Sequence, residues 1–262
     1  MSDIRLQDLL IQRFGQSPDV PAELQDNAFL TAFAARGSCR SFGAEPPADH
    51  LLHTIAAVAL AAPSKSDLQQ RNILIVKDPG KTEKMRTLLA AQEWIAAAPA
   101  FVVFLADNRR QRQIQDWHSE PFPNDHLDAF FNASLDAGIA LHAFITAANA
   151  AGLGCCPIST IRNHMNDVRD LFDLPDQVFA VAALAVGYPA TEPAVSARLS
   201  LDATVHTDRF RATTRADINE YDERRKAGTD APLWSLAKAR MYARAQRSDF
   251  GAFIRRIGFR TD

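Results

Sequence analysis

Apolar positions along the chain switch between a helical and a strand period. Leu51, Leu52, Ile55, Val58, Ala59 and Ala62 recur at helical spacing, which predicts a helix within residues 47–62, with Asp49 as a cap near its start and Pro63 as its stop. Residues 8–14, 24–35, 81–98 and 217–226 read as further helices, and residues 235–262 as a basic amphipathic tail. Short apolar runs at 72–76 (NILIV), 101–105 (FVVFL) and 179–186 (FAVAALAV) read as strands, and Cys155 to Ser159 as a short strand and turn. Residues 64–67 form a polar loop, 108–126 a loop with partial helix, and 198–211 an irregular stretch. Residues 128–151 are apolar on nearly every face, which predicts a helix buried on all sides, at the domain centre or in a subunit interface. Gly152 and Gly154 end it, where a left-handed cap suits glycine. Helices and strands interleave, so the class is α/β or α+β around one sheet. No Pro/Gly/Ser-rich linker divides the chain, and residues 1–262 are expected to form one domain with 212–262 as a C-terminal helical extension.

Charge narrows the function. The 262 residues carry 29 Lys+Arg against 31 Asp+Glu, too balanced for a coat on nucleic acid or an anionic membrane. No run of 18 apolar residues is present, so no membrane span is expected, and the N-terminus does not read as a signal peptide. Three cysteines, Cys39, Cys155 and Cys156, make neither a disulfide framework nor a zinc motif, and the expected compartment is the cytoplasm. The adjacent pair is expected to act as small buried hydrophobes. Seven scattered histidines complete no metal site, and GxGxxG, GxxxxGK[ST] and GxSxG are all absent.

Three stretches carry candidate chemistry. In Arg36-Gly37-Ser38-Cys39-Arg40, alternate side chains of an extended segment point one way, so two guanidinium forks and a hydroxyl can converge on one anion. Pro63 to Gln69, with Ser64, Lys65, Ser66 and Asp67, supplies polar groups for a ligand. Gly152 to Thr160 lets backbone approach a planar ligand after the long helix. Each also has a plain structural reading, as a helix end, a surface loop and a C-cap.

Taken in order, RGSCRSF at 36–42, APSKSDLQ at 62–69, AAQ at 90–92, AAGLGCCPISTIRN at 150–163, LFDLPDQ at 171–177 and GYPATEPAVSARL at 187–199 resemble the nitroreductase family, closest to its oxygen-insensitive nitroreductase and flavin reductase branch. The resemblance spans roughly residues 33–211. It implies an α+β sandwich, a central mixed and mainly antiparallel sheet flanked by helices, and a homodimer. It implies tightly bound FMN, one per subunit, and NAD(P)H as co-substrate in a ping-pong reduction of nitroaromatics, quinones or flavins, with no side chain demanded as a catalytic residue. Carried over by position, the cofactor-binding residues are Arg36, Gly37, Ser38, Cys39, Arg40, Ser64, Lys65, Ser66, Gln92, Pro157, Ile158, Ser159, Thr160, Ser196 and Arg198, and Asp67 faces the substrate.

Three departures stand out against the family pattern. Ser196 replaces the lysine of a K-x-R pair, so one positive charge is missing, and Arg36, where the close branch often has histidine, is expected to offset it. Asp67 stands where relatives carry an aromatic residue, which disfavours anionic substrates and admits another acceptor, with enone reduction or reductive dehalogenation as the alternatives. The loop at 224–228 is short, which leaves the choice of nicotinamide open. A flavin-binding module without turnover is the reading from a different functional class.

Overall fold

The computed structural model describes residues 5–90, 92–227 and 230–262; Ala91 of the AAQ motif and Gly228, the last residue of the stretch read as a short loop, lie outside them, while Arg224, Arg225 and Lys226 of that stretch are helical. Contacts gather the chain into two compact units: Met1–Gly37 with Pro193–Gln246, and Ser38–Glu192 with Arg247–Asp262.

The larger unit is built on a four-stranded sheet of β1 (Arg71–Val76), β2 (Ala100–Asp107), β3 (Gly154–Ile158) and β4 (Val178–Gly187), in the order β1-β2-β4-β3. All three pairings are antiparallel. Every residue of β2 is buried, which is why it reads in sequence as a continuous apolar run rather than an alternating one. Val102, Phe104, Leu184 and Val186 face the helices Asp49–Leu60 and Leu127–Ala150, while Phe101, Val103, Ala183 and Ala185 face a second layer with Met85, Leu89, Ile95 and Val168. The sheet is therefore covered on both faces. The rings of Phe104 and Phe144 meet edge to face at 5.6 Å across the first layer.

Between Phe104 and Leu105 the register slips by one residue of β4, so that Val181 has no partner across the ladder. Its carbonyl accepts from Arg162 Nη1 at 2.5 Å. The slip reverses the facing of β4 beyond it and turns Phe179 into a cluster with Phe130, Phe250 and Phe259; the Phe130 and Phe179 rings stack at 5.3 Å. Residues 247–262 thereby close one end of this unit.

Several helices depart from their sequence reading for local reasons. The stretch 81–98 is two helices, Pro79–Leu88 and Glu93–Ala96, the first opened by Asp78, whose carboxylate accepts from Lys81 N at 2.8 Å. Met165–Leu171 is a further short helix. The long helix Leu127–Ala150 is not buried on all sides of the single chain: Phe131 is 59% and Leu135 46% exposed, while Ala133, Ala137, Ala140, Phe144 and Ala148 pack inward. By length and composition it is apolar enough to cross a membrane; its inward face is instead accounted for by packing on the sheet.

That helix also buries Asp136 completely. Its carboxylate accepts from the backbone N–H groups of Lys65 and Gln70, both at 3.0 Å, and stands 4.0 Å from Arg71 Nη1. Arg71 in turn donates to the carbonyls of Leu60, Ala62 and Pro63, at and just past the end of Asp49–Leu60. The loop between is thus fixed at both ends, and it holds Ser66, Asp67 and Gln69 at φ of 50°, 55° and 51°.

In the smaller unit, Leu6–Phe14 ends at Gly15 (φ 77°) and packs on Ala28–Ala35 through Leu6, Leu9 and Ala34. The second helix starts at Ala28 rather than near 24, because Asn27 caps it by accepting from Leu30 N at 3.0 Å. Arg215–Lys226 opens on a capping box of Thr214 and Asp217, and the hydrogen bond from Arg211, ahead of those from Thr214, holds the Asp217 carboxyl well below the usual carboxylate range. Buried Asp222 accepts from Ser235 N at 2.9 Å and joins this helix to Trp234–Tyr242.

Phe144→Ala removes a ring from the middle of a closed layer and is expected to cost about 3–5 kcal/mol in denaturant unfolding. Asp136→Ala takes the acceptor from the Lys65 and Gln70 N–H groups and the counter-charge from the buried Arg71 guanidinium; a loss of roughly 3–5 kcal/mol is expected, with faster tryptic cleavage after Lys65 in the native state.

Candidate functional site

In the smaller unit the candidate residues converge on one side chain that the sequence reading passed over. Arg13, near the end of Leu6–Phe14, is 7% exposed. Its Nε and Nη2 donate to the Ala34 carbonyl at 3.0 and 2.6 Å, Nη2 also to the Arg36 carbonyl at 2.6 Å, and Nη1 to the Ser196 carbonyl at 3.2 Å. The Arg13 carbonyl accepts from Arg198 N at 2.6 Å. Two candidate segments 160 residues apart are therefore held against a single guanidinium. Gly37 completes the approach: a Cβ there would stand 2.6 Å from the Ala194 carbonyl oxygen. Arg198 Nη1 donates to Ser196 Oγ at 2.7 Å, and the Arg198 carbonyl accepts from Arg224 at 2.8 Å.

Arg13, Arg36 and Arg198 line a cavity of about 730 Å³ whose other walls include Leu10, Phe14, Phe33, Leu199, Tyr221 and Trp234. Burial, and then the charges of Arg198 and Arg36, push the Arg13 guanidinium below its usual range. Arg36 Nε is buried and has no partner among the described residues. An apolar cavity with three guanidinium groups and an unmet donor suits a ligand with an anionic end and a flat apolar body.

The larger unit carries the remaining candidates in two places. Cys39 N donates to the Cys155 carbonyl at 3.0 Å, and Phe42 bridges to Pro189, so residues 39–43 run along the end of the sheet beside β3. Gly154 permits this, since a Cβ there would stand 2.6 Å from Cys39 Sγ. Burial, ahead of other causes, raises the Cys39 thiol above its usual range and keeps it protonated, and Cys155 and Cys156 are also buried. The Arg40 guanidinium lies 5.9 Å over the Trp94 ring, and Trp94 Nε1 donates to Gln92 Oε1 at 2.6 Å. Arg40 and Gln92 thereby meet one indole, the first over its face and the second at its N–H edge. At the end of β3, Pro157 and Ser159 are exposed, Ile158 is buried, and Thr160 Oγ1 is buried without a partner among the described residues. Ser38 is half-buried on the same connection.

The second place is the loop held by Asp136 and Arg71. Ser64 is half-buried and accepts from Gln69 N at 3.2 Å; Lys65, Ser66 and Asp67 are exposed. The Asp67 carboxylate accepts from Gln69 Nε2 at 3.2 Å. Among the described residues, no group of three or more His, Cys, Asp or Glu could hold a metal ion.

Residues 33–188 match the Nitroreductase family, and residues 196–262 match the Nitroreductase family, C-terminal domain. Among curated relatives, the FMN reductase (NAD(P)H) of Bacillus subtilis (strain 168) is 30% identical over 247 residues, 90% of this chain and 99% of the relative. The oxygen-insensitive NADPH nitroreductase of Salmonella typhimurium is 28% identical, over 86% of this chain and 95% of the relative. Among solved structures, B. megaterium NfrA2 superposes with a TM-score of 0.84 at 31% identity, over 90% of this chain and 99% of its own. The NADPH:FMN oxidoreductase from Vibrio harveyi complexed with NAD+ gives 0.80 at 27%, over 88% and 98%. A family match across more than half of the residues, with a relative covered almost end to end, shows that this chain belongs to the nitroreductase family.

Proposed function

We propose that the chain is an FMN-dependent NAD(P)H oxidoreductase that reduces nitroaromatics, quinones or flavins. The observation that carries this reading is the arginine-edged cavity with a buried, unmet Arg36 Nε, in a chain whose relatives are named FMN reductases and NADPH nitroreductases. The residues present fit the cofactor. Arg36 and Arg198, set by their backbones, would take the phosphate, together with Ser38, Arg40 and Ser196 and the backbone at Gly37 and Cys39. Gln92, the end of β3 at Pro157, Ile158, Ser159 and Thr160, and the loop of Ser64, Lys65 and Ser66 would meet the ribityl chain and the ring.

Bound FMN supplies hydride acceptance and onward electron transfer, by which donor and acceptor use one place in turn. The protein binds and orients. The positive charge of Arg36, Arg40 and Arg198 would favour binding of the anionic cofactor. Asp67, exposed on the loop, would present a carboxylate to incoming acceptors and disfavour anionic ones. The whole chain is proposed to act as one FMN-binding domain with residues 212–262 as its extension, binding one FMN per subunit. The ridge of Leu127, Phe131 and Leu135 on the long helix supports a homodimer, since apolar side chains this exposed in one chain are covered by a second copy. Three buried cysteines accord with a cytoplasmic setting.

Purified protein is expected to show a flavin absorbance spectrum that NADH or NADPH bleaches anaerobically, and reversing charge at Arg40 and Arg198 together is expected to abolish flavin retention; a bound flavin that neither nucleotide bleaches would leave a binding module without turnover. Sedimentation at micromolar concentration is expected to give twice the 28.8 kDa chain mass, and Phe131→Glu to shift the protein toward the monomer.

A further inference from the structure

The cationic cavity contains a charged residue that lies outside the family-matched stretches. Those stretches begin at residue 33, and Arg13 precedes them. Four of its five N–H groups are spent on carbonyls, at Ala34, Arg36 and Ser196, so most of what it holds is backbone. What it fixes is the backbone at the two places from which Arg36 and Arg198 project. The first is held through the Arg36 carbonyl. The second is held through the Ser196 carbonyl on one side and through Arg198 N, which donates to the Arg13 carbonyl, on the other.

The price in stability of this arrangement is visible. A buried arginine is placed where two other arginines oppose its charge, and both lower its proton affinity. Structural carbonyls need only a donor, which a neutral amide would supply without that repulsion. A third positive charge on the wall of the cavity is useful only when an anion is there to offset it. The position that carries lysine in the family pattern is Ser196, whose carbonyl is one of the three that Arg13 grips.

We propose that Arg13 is a positioning residue for the phosphate end of FMN: it aligns Arg36 and Arg198 by their backbones and supplies from behind them the positive charge that Ser196 does not. This rests on the FMN reading above. The effect belongs to the phosphate, so it distinguishes FMN from riboflavin, which has the same ring and ribityl chain and no phosphate.

The test is titration of apoprotein with each flavin, followed by fluorescence quenching, for wild type, Arg13→Gln, Arg13→Lys and Arg13→Gln with Ser196→Lys. Arg13→Gln is expected to weaken FMN roughly tenfold or more, as for loss of a charge-assisted set of hydrogen bonds, with riboflavin changed less than about twofold. Arg13→Lys keeps the charge and loses the fork, and is expected to weaken FMN by less than glutamine does, again without moving riboflavin. Adding Ser196→Lys to Arg13→Gln is expected to restore much of the FMN affinity. Equal weakening of both flavins, no weakening of either, or no recovery with Ser196→Lys would overturn the proposal. If Arg13→Gln does not fold, the Arg13→Lys comparison decides by the same criterion. A wild-type apoprotein that binds neither flavin would overturn the FMN reading itself, and this inference with it.

Discussion

Backbone carbonyls that helices leave unpaired at their ends must find donors when they are buried, and in this chain two arginines meet that need. Arg71 serves the end of Asp49–Leu60, and Arg13 serves the end of Ala28–Ala35. A guanidinium suits the task because its five N–H groups lie in one plane and reach several acceptors at once. The segments that follow those two helix ends are the ones that carry the candidate ligand groups, 36–40 in one case and 64–69 in the other. The site therefore inherits its backbone geometry from buried cations, and only its outward side chains are free to serve chemistry.

The two arginines are balanced differently. Arg71 lies beside the carboxylate of Asp136, itself fully buried and filled by two backbone N–H groups. That pair is self-contained, as a structural ion pair must be to withstand desolvation. Arg13 has carbonyl partners and arginine neighbours. The contrast separates a charge that serves the fold from one that serves a bound anion.

Much of the architecture was legible in the residues because burial on both faces writes a simple pattern. β2 and β4 read as apolar runs, and the long helix read as apolar and helical. Its exposed ridge was not legible, since Phe131 and Leu135 look no different in sequence from the inward Phe144. Nor was the slip at Val181, because a one-residue bulge leaves the apolar run unbroken. The ordered motifs exposed Arg36, Arg40, Gln92 and Arg198 through their likeness to a family. Arg13, Arg71 and Asp136 gave no such signal. Each reads locally as an ordinary charged residue near a helix or strand, and its role depends on partners distant in sequence, as Ser196 is from Arg13, 183 positions away.

The left-handed backbone at Ser66, Asp67 and Gln69 has a bearing on how this protein can be diversified. Asparagine, aspartate and glycine tolerate that conformation, whereas valine, isoleucine and threonine resist it. A library randomised across this loop would therefore be sorted first by which side chains the main chain accepts, and only afterwards by which acceptors they admit. Drift in acceptor choice along a lineage would be channelled through the same narrow alphabet.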